Sequence, residues 1–175
     1  MGVLSPSCSV FYVTTYHDIP ADLLNPALGQ RLASLDSIQM PDWAAYVKTG
    51  VHTEKPPTSK DWWAMRCAAL LRKVARNGPI GVNHLSQNYG GRKATRSAPA
   101  RPAAASRKII RVALQQLETS GLVAKADLKV VSSEDGDQKL YSGRVCTNQG
   151  QKLLDEVAHS LKEEAEKSYP GLSKY

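Results

Sequence analysis

The chain has 175 residues, and its 23 Lys and Arg outnumber 16 Asp and Glu to give a formal net charge of +7. This length suits one domain of ordinary size with a buried core. We expect no membrane span, because no stretch approaches the ~20 apolar residues of a membrane helix. We also expect no secretory signal, because the N-terminus has no basic start followed by an apolar run. Cys8, Cys67 and Cys146 are few and scattered, which predicts a reducing, cytoplasmic setting and no disulfide framework.

The first predicted helix begins at Ile19-Pro20-Ala21-Asp22 and continues through leucines at helical spacing. Pro26 and Gly29 predict a kink or a late start in this helix, because proline removes an interior hydrogen bond. Pro41-Asp42-Trp43 opens a second, short helix, and residues 50–59 form a loop.

A longer helix is predicted over 60–77 and carries two stripes at helical spacing. The apolar stripe, which we expect in the core, holds Trp63, Cys67, Leu70, Leu71 and Val74; the cationic stripe beside it holds Trp62, Arg66, Ala69, Lys73 and Arg76. Trp62 has two interpretations at this point. Its ring either stacks on a nucleic-acid base or packs into the core and shields an arginine stem.

The middle of the chain alternates short helices with a long loop. A brief helix is predicted over 83–89, residues 92–106 have no period and are predicted to be a loop, and a third helix is predicted over 107–120. On this last helix the apolar residues face the core, while Arg107, Arg111 and Gln115 line the other side.

Two strands, 122–131 and 139–146, flank the loop 132–138 and predict a β-hairpin. Thr147 is a predicted N-cap of a final helix that ends before Pro170. The order of elements predicts a mainly α, winged helix-turn-helix-like domain with the small β-hairpin as its wing. We expect residues 1–18 to be an N-terminal extension, 19–168 the single domain, and 169–175 a C-terminal tail.

Charge is strongly segregated along the chain. Residues 62–117 contain eleven basic residues and no acidic one, a balance of +11, while the rest holds twelve basic and sixteen acidic residues, a balance of −4. Such a block predicts a polyanion partner, since each neutralised phosphate releases condensed counterions. The alternative is a solvated basic face without a partner. The acidic hairpin tip, with Glu134, Asp135 and Asp137, is expected to avoid phosphate.

The run Tyr89-Gly90-Gly91-Arg92-Lys93 places two flexible glycines before two cations, which lets a backbone approach phosphate closely. Beyond it, Arg96 and Arg101 lie among Ala and Pro, a composition that predicts ordering on binding. The alternative is a flexible surface linker. The predicted nucleic-acid-binding residues are Trp62, Arg66, Lys73, Arg76, Tyr89, Gly90, Gly91, Arg92, Lys93, Arg96, Arg101, Arg107, Lys108 and Arg111.

No enzymatic constellation is evident in the sequence. The four histidines have no mutual ligand spacing, and there is no paired-cysteine motif, phosphate loop or nucleophile elbow. We therefore predict neither catalysis nor a metal, cofactor or small-molecule substrate.

Several short motifs, in one order, resemble the eukaryotic and archaeal small-subunit ribosomal protein family S19e. They are Tyr16-His17-Asp18-Ile19-Pro20-Ala21, Pro41-Asp42-Trp43, Asp61-Trp62-Trp63 followed by Arg66 and Ala68-Ala69, Tyr89-Gly90-Gly91-Arg92, the basic helix ending in Leu117-Glu118, and Thr147-x-x-Gly150-Gln151 followed by Leu154-Asp155. Each motif is short, and their order over about residues 10 to 160 makes the resemblance specific.

The resemblance implies a winged-helix-like protein of the small-subunit head in the cytosolic ribosome. It implies binding to small-subunit ribosomal RNA, neighbouring ribosomal proteins as partners, a role in maturation of the subunit and a nucleolar assembly phase. It assigns RNA contacts to Arg66, Arg92, Lys93, Arg107, Lys108 and Arg111. The Ala- and Pro-rich segment 94–106 and the long acidic hairpin tip depart from the family pattern.

Two other functions are consistent with the pattern of elements. A winged-helix DNA-binding regulator would need base-reading amides on its third helix, and only Gln115 and Gln116 are available there. A winged-helix module that binds only proteins would leave the +11 block unexplained.

Overall fold

A computed structural model describes residues 14–94, 97–133 and 136–170, and within them the chain is mainly α with two antiparallel hairpins. The elements are α1 Ala21–Ala33, a 3₁₀ turn Asp42–Ala45, α2 Trp62–Asn77, α3 Val82–Asn88, β1 Gly91–Lys93, β2 Arg101–Ala103, α4 Arg107–Thr119, β3 Val123–Ser133, β4 Gly136–Cys146, α5 Asn148–Ser160 and α6 Lys162–Ser168. This order confirms the mainly helical prediction with a hairpin after α4.

The core forms where α2 meets α1, α4 and α5. Leu28, Leu71, Leu114 and Leu154 from these four helices are completely buried. The predicted apolar stripe of α2 is confirmed in full, because all five of its residues are buried. Each large aliphatic side chain removed from water contributes about 1.5–3 kcal/mol. Tyr16 also joins the core, although it lies in the segment predicted as an extension; the domain limits themselves stay a prediction.

Helix α1 begins directly after Pro20 and continues through Pro26, so the predicted late start is wrong. Burial of Leu24, Leu28 and Leu32 along one face holds the helix together despite the missing N–H. Gly29 has a packing role instead of interrupting the helix. It is buried at the contact between α1 and α2, where a Cβ would lie 3.4 Å from the backbone nitrogen of Met65.

The segment predicted as a loop over 92–106 contains regular structure. Strands β1 and β2 pair antiparallel, with Gly91 opposite Ala103, Arg92 opposite Pro102 and Lys93 opposite Arg101. Three residues per strand are too few to give a recognisable alternation, which is why the pattern predicted a loop. Arg101 therefore lies in a strand and not in a loop, and the ordering of this segment on binding stays a prediction.

The second hairpin is longer than predicted, because β3 reaches Ser133 and β4 starts at Gly136, inside the predicted loop 132–138. We call this hairpin the wing. Residues 134 and 135 of its acidic tip lie outside the described residues. At the base of the wing, Ile80 and Arg144 exchange backbone hydrogen bonds of 3.1 and 3.0 Å. Gly143 makes this crossing possible, with φ +127° and room for the Ile80 carbonyl only in the absence of a Cβ.

In the C-terminal part the predicted N-cap at Thr147 is confirmed, but the single predicted helix is two helices, α5 and α6. The Thr147 hydroxyl accepts a 3.2 Å hydrogen bond from the Gly150 amide at the start of α5. The helix ends at Ser160, and after Leu161 a separate α6 continues to Ser168. No helix in the described ranges is long and apolar enough to cross a membrane.

Candidate nucleic-acid interface

Helix α4 presents three cations to solvent at its N-terminal end. Arg107, Lys108 and Arg111 are exposed, while Ile110 and Leu114 on the opposite side are buried. The first turn contains no acidic residue. A helix N-terminus carries partial positive charge, so cations there are unfavourable until an anion is bound. The first turn of α4 is therefore arranged for a negatively charged ligand rather than for helix stability.

Hairpin β1–β2 carries three more exposed cations, Arg92, Lys93 and Arg101. The register places Lys93 directly opposite Arg101. Like charges facing each other across a strand pair are destabilising. Among the described residues, no carboxylate lies within 4.0 Å of these side chains to offset that repulsion. The hairpin thus holds a concentration of positive charge that the described part of the protein does not neutralise.

Backbone hydrogen bonds anchor the short connection between this hairpin and α4 to the rest of the protein. The Ala105 amide donates to the Ser86 carbonyl over 2.9 Å, and the Ser106 amide donates to the Thr49 carbonyl over the same distance. Gly50 forms an isolated bridge with Ala105. The chain therefore passes from β2 into α4 without a free linker. The hairpin cations and the α4 cations are held on one continuous stretch of backbone.

Tyr89 connects the cations of α2 to the base of the hairpin. The Arg66 guanidinium carbon lies 4.4 Å and the Lys73 ammonium 4.2 Å from the centroid of the Tyr89 ring. Burial raises the pKa of Tyr89 to about 12, against the opposing effect of Arg66 and Arg72. Burial also lowers the pKa of Arg66 and of Lys73, the latter helped by repulsion from both arginines. Positive charge is concentrated here as well.

The two glycines after Tyr89 leave room for protein atoms, and their close approach to phosphate stays a prediction. A Cβ on Gly90 would lie 2.5 Å from the Ala103 carbonyl oxygen in β2. A Cβ on Gly91 would lie 2.8 Å from the His52 ring. Both close approaches fix the hairpin against its neighbours. Sequence reasoning missed His52, whose only signal was its position in a loop rich in glycine and proline.

Two other predicted site residues, Trp62 and Arg76, are placed apart from this cluster. Trp62 is only 9% exposed and packs edge-to-face on Trp63 with ring centroids 5.4 Å apart, so the core interpretation holds and base stacking is not supported. Arg76 is exposed ten residues beyond Arg66, at the end of α2 that faces Tyr16. Arg96 lies outside the described residues.

Gln116 of α4 has a structural role that the sequence did not reveal. Its side-chain oxygen accepts a 2.8 Å hydrogen bond from the Trp63 indole, and its side-chain nitrogen donates to the Gln39 carbonyl over 2.7 Å. Trp43 packs edge-to-face on Trp63, and the Lys108 ammonium lies 4.9 Å from the Trp43 ring. The pair Trp43 and Trp63 therefore supports α4 in two ways: Trp63 binds Gln116, and Trp43 packs beside Lys108.

The described residues contain no group of three metal-ligating side chains. The Cys67 thiol is buried, and this burial raises its pKa to about 12, so the sulfur stays protonated and unreactive at neutral pH. The arrangement is suited to holding a polyanion by charge rather than to chemistry on a substrate.

Comparison with known proteins agrees with this geometry. The family model described as ribosomal protein S19e matches residues 15–164. Small ribosomal subunit protein eS19 of Haloarcula marismortui is 41% identical over 167 residues, covering 93% of this chain and 99% of that protein. The protein of the same name from Aeropyrum pernix is 37% identical over 90% of this chain and 96% of its own length. Drosophila melanogaster eS19B is 33% identical, with coverage of 84% and 86%. The chain belongs to the ribosomal protein S19e family.

Proposed function

We propose that the chain is a structural constituent of the small ribosomal subunit that binds ribosomal RNA through one basic surface. The basic surface consists of Arg66, Lys73, Arg92, Lys93, Arg101, Arg107, Lys108 and Arg111. The observation that carries the proposal is the cross-strand pair of Lys93 and Arg101, which has no carboxylate beside it in the described residues. The names of the curated relatives support the assignment to the small subunit.

The mechanism is neutralisation without turnover. The family consists of structural ribosomal proteins, and the chain is not an enzyme. Arginine guanidinium groups bind phosphate in a fork, and lysines act as point charges on the same backbone. Because backbone hydrogen bonds anchor the connection between the hairpin and α4, the cations approach RNA in a fixed arrangement. Binding RNA then relieves the repulsion that the free protein carries.

The finer parts of the proposal concern location and assembly. We place the chain in the subunit head and expect a need for it in late maturation of the subunit RNA, as the family resemblance implies. Cytosolic ribosomes are the expected location. A nucleolar assembly phase stays a prediction, and two of the similar relatives come from archaea, whose cells have no nucleus.

The fold supports a winged-helix interpretation. In chain order, α2 is followed by Ile80, which bridges to Arg144 of the wing, and then by α3, α4 and the two wing strands. This is the order of a winged helix with Ile80 as its short first strand. In this arrangement α4 is the helix that faces nucleic acid, which agrees with its three exposed cations.

A winged-helix DNA-binding regulator is less well supported. Such a protein reads base edges with amides or arginines along its third helix. Both ends of the Gln116 amide are engaged inside the protein, which leaves Gln115 as the one exposed glutamine of α4. The comparisons give no support to this alternative.

Sedimentation through sucrose gradients tests the proposal. A variant with Arg92→Glu and Lys93→Glu should fail to enter the small subunit, whereas the unaltered chain should sediment with it and leave it only after ribonuclease. Lys152→Glu with Lys167→Glu is the matched control, since it makes the same change in net charge on exposed residues of α5 and α6. Normal incorporation of the hairpin variant, or equal loss of the control, would contradict the proposed surface.

A further inference from the structure

Tyr46 is the most exposed large apolar or aromatic side chain in the described part of the chain, at 87%. It follows the 3₁₀ turn Asp42–Ala45, and its amide donates a 3.3 Å hydrogen bond to the Trp43 carbonyl. A single exposed aromatic ring is common on protein surfaces and identifies no site by itself. The informative feature is where this ring lies relative to the basic surface.

The segment 43–52, which carries this tyrosine, is attached to the first turn of α4 at two points. At the start of the segment the Trp43 ring lies 4.9 Å from the Lys108 ammonium. Farther along, the Thr49 carbonyl accepts a 2.9 Å hydrogen bond from the amide of Ser106, the residue directly before α4. The segment therefore runs beside the cations at the N-terminal end of α4.

Tyr46 lies midway between these two points, three residues from each. Side chains three positions apart in a 3₁₀ turn are nearly eclipsed, so Tyr46 projects from the same side of the turn as Trp43, the side beside Lys108. Three residues of chain span at most about 11 Å, which keeps the Cα atom of Tyr46 within that distance of Thr49. The ring is therefore within reach of a nucleotide whose phosphate is bound at the first turn of α4.

Charge along the segment agrees with a nucleic-acid partner. Between Asp42 and Glu54 the sequence contains no acidic residue, and Lys48, two positions after the tyrosine, is exposed. The end of the segment reaches the hairpin, since a Cβ on Gly91 would lie 2.8 Å from the His52 ring. An exposed ring beside a row of cations is typical of proteins that bind single-stranded nucleic acid, because the cations hold the backbone and the ring holds a base.

We propose that Tyr46 stacks on an unpaired base of the ribosomal RNA whose backbone is bound by the basic surface. The inference rests on the proposed function, since the cations of that surface supply the phosphate contacts. A base inside an A-form helix is covered on both faces by its neighbours, so the RNA at this place is a loop, a bulge or a strand end. The basic surface then recognises charge, and Tyr46 recognises unpaired structure.

Binding of the full chain to two RNA probes tests this inference. One probe is small-subunit RNA freed of protein, and the other is a fully paired RNA duplex. Tyr46→Ala should weaken binding to small-subunit RNA at least about fivefold, the lower limit for the loss of one stacked base. Its affinity for the duplex should stay within about twofold of that of the unaltered chain. The slope of log affinity against log salt should be unchanged, because the ring carries no charge.

Conservative variants separate a stacking ring from an apolar contact. Tyr46→Phe keeps the ring and should bind small-subunit RNA like the unaltered chain, whereas Tyr46→Leu should be weakened like Tyr46→Ala. Tyr169→Ala is the matched control and should have no effect, because it removes a 47% exposed ring outside the basic surface. All these positions are exposed, so the thermal unfolding midpoint should not change.

The possible outcomes are distinguishable. Normal binding of Tyr46→Ala or Tyr46→Leu to small-subunit RNA, or equal weakening on the duplex, would overturn the inference. Normal RNA binding by Tyr46→Ala combined with loss of incorporation into the small subunit would also overturn it, and would assign the ring to a neighbouring protein. The proposed function fails separately, if Arg92→Glu with Lys93→Glu binds both probes as tightly as the unaltered chain.

Discussion

Removing the Lys93 charge should stabilise the hairpin while weakening its attachment to RNA. In the free protein Lys93 faces Arg101 across the strand pair. Like charges directly opposite each other cost about 0.2–1 kcal/mol, and exposure to solvent moves the cost toward the lower half of that range. We therefore expect Lys93→Gln to stabilise the paired hairpin by about 0.5 kcal/mol at low salt. Hydrogen exchange of the β1–β2 amides should slow about twofold.

The same substitution should also change how the affinity for RNA depends on salt concentration. Each phosphate contact that is lost reduces the slope of log affinity against log salt by about 0.7–0.9. Lys93→Gln should therefore bind a small-subunit RNA fragment less tightly at low salt and show a slope shallower by about that amount. Affinity should converge with that of the unaltered protein as salt rises, because only the electrostatic contribution has changed.

Arg92→Gln is the matched control, because Arg92 faces Pro102 and has no charge across the strand. It should reduce the salt slope by a similar amount without slowing amide exchange in the hairpin. The reasoning fails if Lys93→Gln speeds exchange, if both variants slow it equally, or if Lys93→Gln leaves the salt slope unaltered. The first two outcomes would mean that the cross-strand repulsion is absent, and the third that Lys93 contacts no phosphate.

Three further predictions concern the scaffold. Gly143→Ala should lower the free energy of unfolding by about 1–3 kcal/mol in denaturant titration, because its φ of +127° is strained for alanine and its Cβ would meet the Ile80 carbonyl. Gln116→Leu should cost a similar ~1–3 kcal/mol, because the Trp63 indole loses its acceptor, whereas Gln115→Leu on the exposed side should be close to neutral. The free energy of unfolding should decline from pH 10 toward pH 12, since the pKa of Tyr89 is raised from 10.0 to about 12 in the folded chain and ionisation favours the unfolded one. Tyr89→Phe should reduce this decline in pH-dependent denaturation and leave the part that comes from the buried Cys67 thiol, whose pKa is also raised to about 12; an unchanged decline would contradict the prediction.

Helices with a wide apolar stripe were predictable from sequence. For α2 and α4, residues three and four apart repeat their character over several turns, so one face and its burial follow from the spacing alone. The cap at Thr147 was equally local, since it depends on a hydroxyl and an amide three residues away. These features need no knowledge of which elements become neighbours.

Features that depend on a distant partner were not predictable. Pro26 is tolerated within α1 because the helix is held by packing on α2, which no local rule includes. Trp62 sits beside cations in sequence, yet the edge-to-face contact with Trp63 places it in the core. The break after Ser160 lies within a continuous helical pattern, and nothing in that pattern marks it.

The candidate site also combines a feature that was predictable from local sequence with one that depends on a distant partner. The acid-free block 62–117 predicted where the positive charge lies. The close pairing of Lys93 with Arg101, eight positions apart in sequence, comes from the pairing of β1 with β2. Gly90 permits that pairing by leaving room for the Ala103 carbonyl. Under the proposed function the glycines contribute to RNA binding indirectly: they let protein strands approach each other, and the strands then bring like charges together. Because the repulsion is relieved only when an anion arrives, the hairpin favours the bound state through its own geometry.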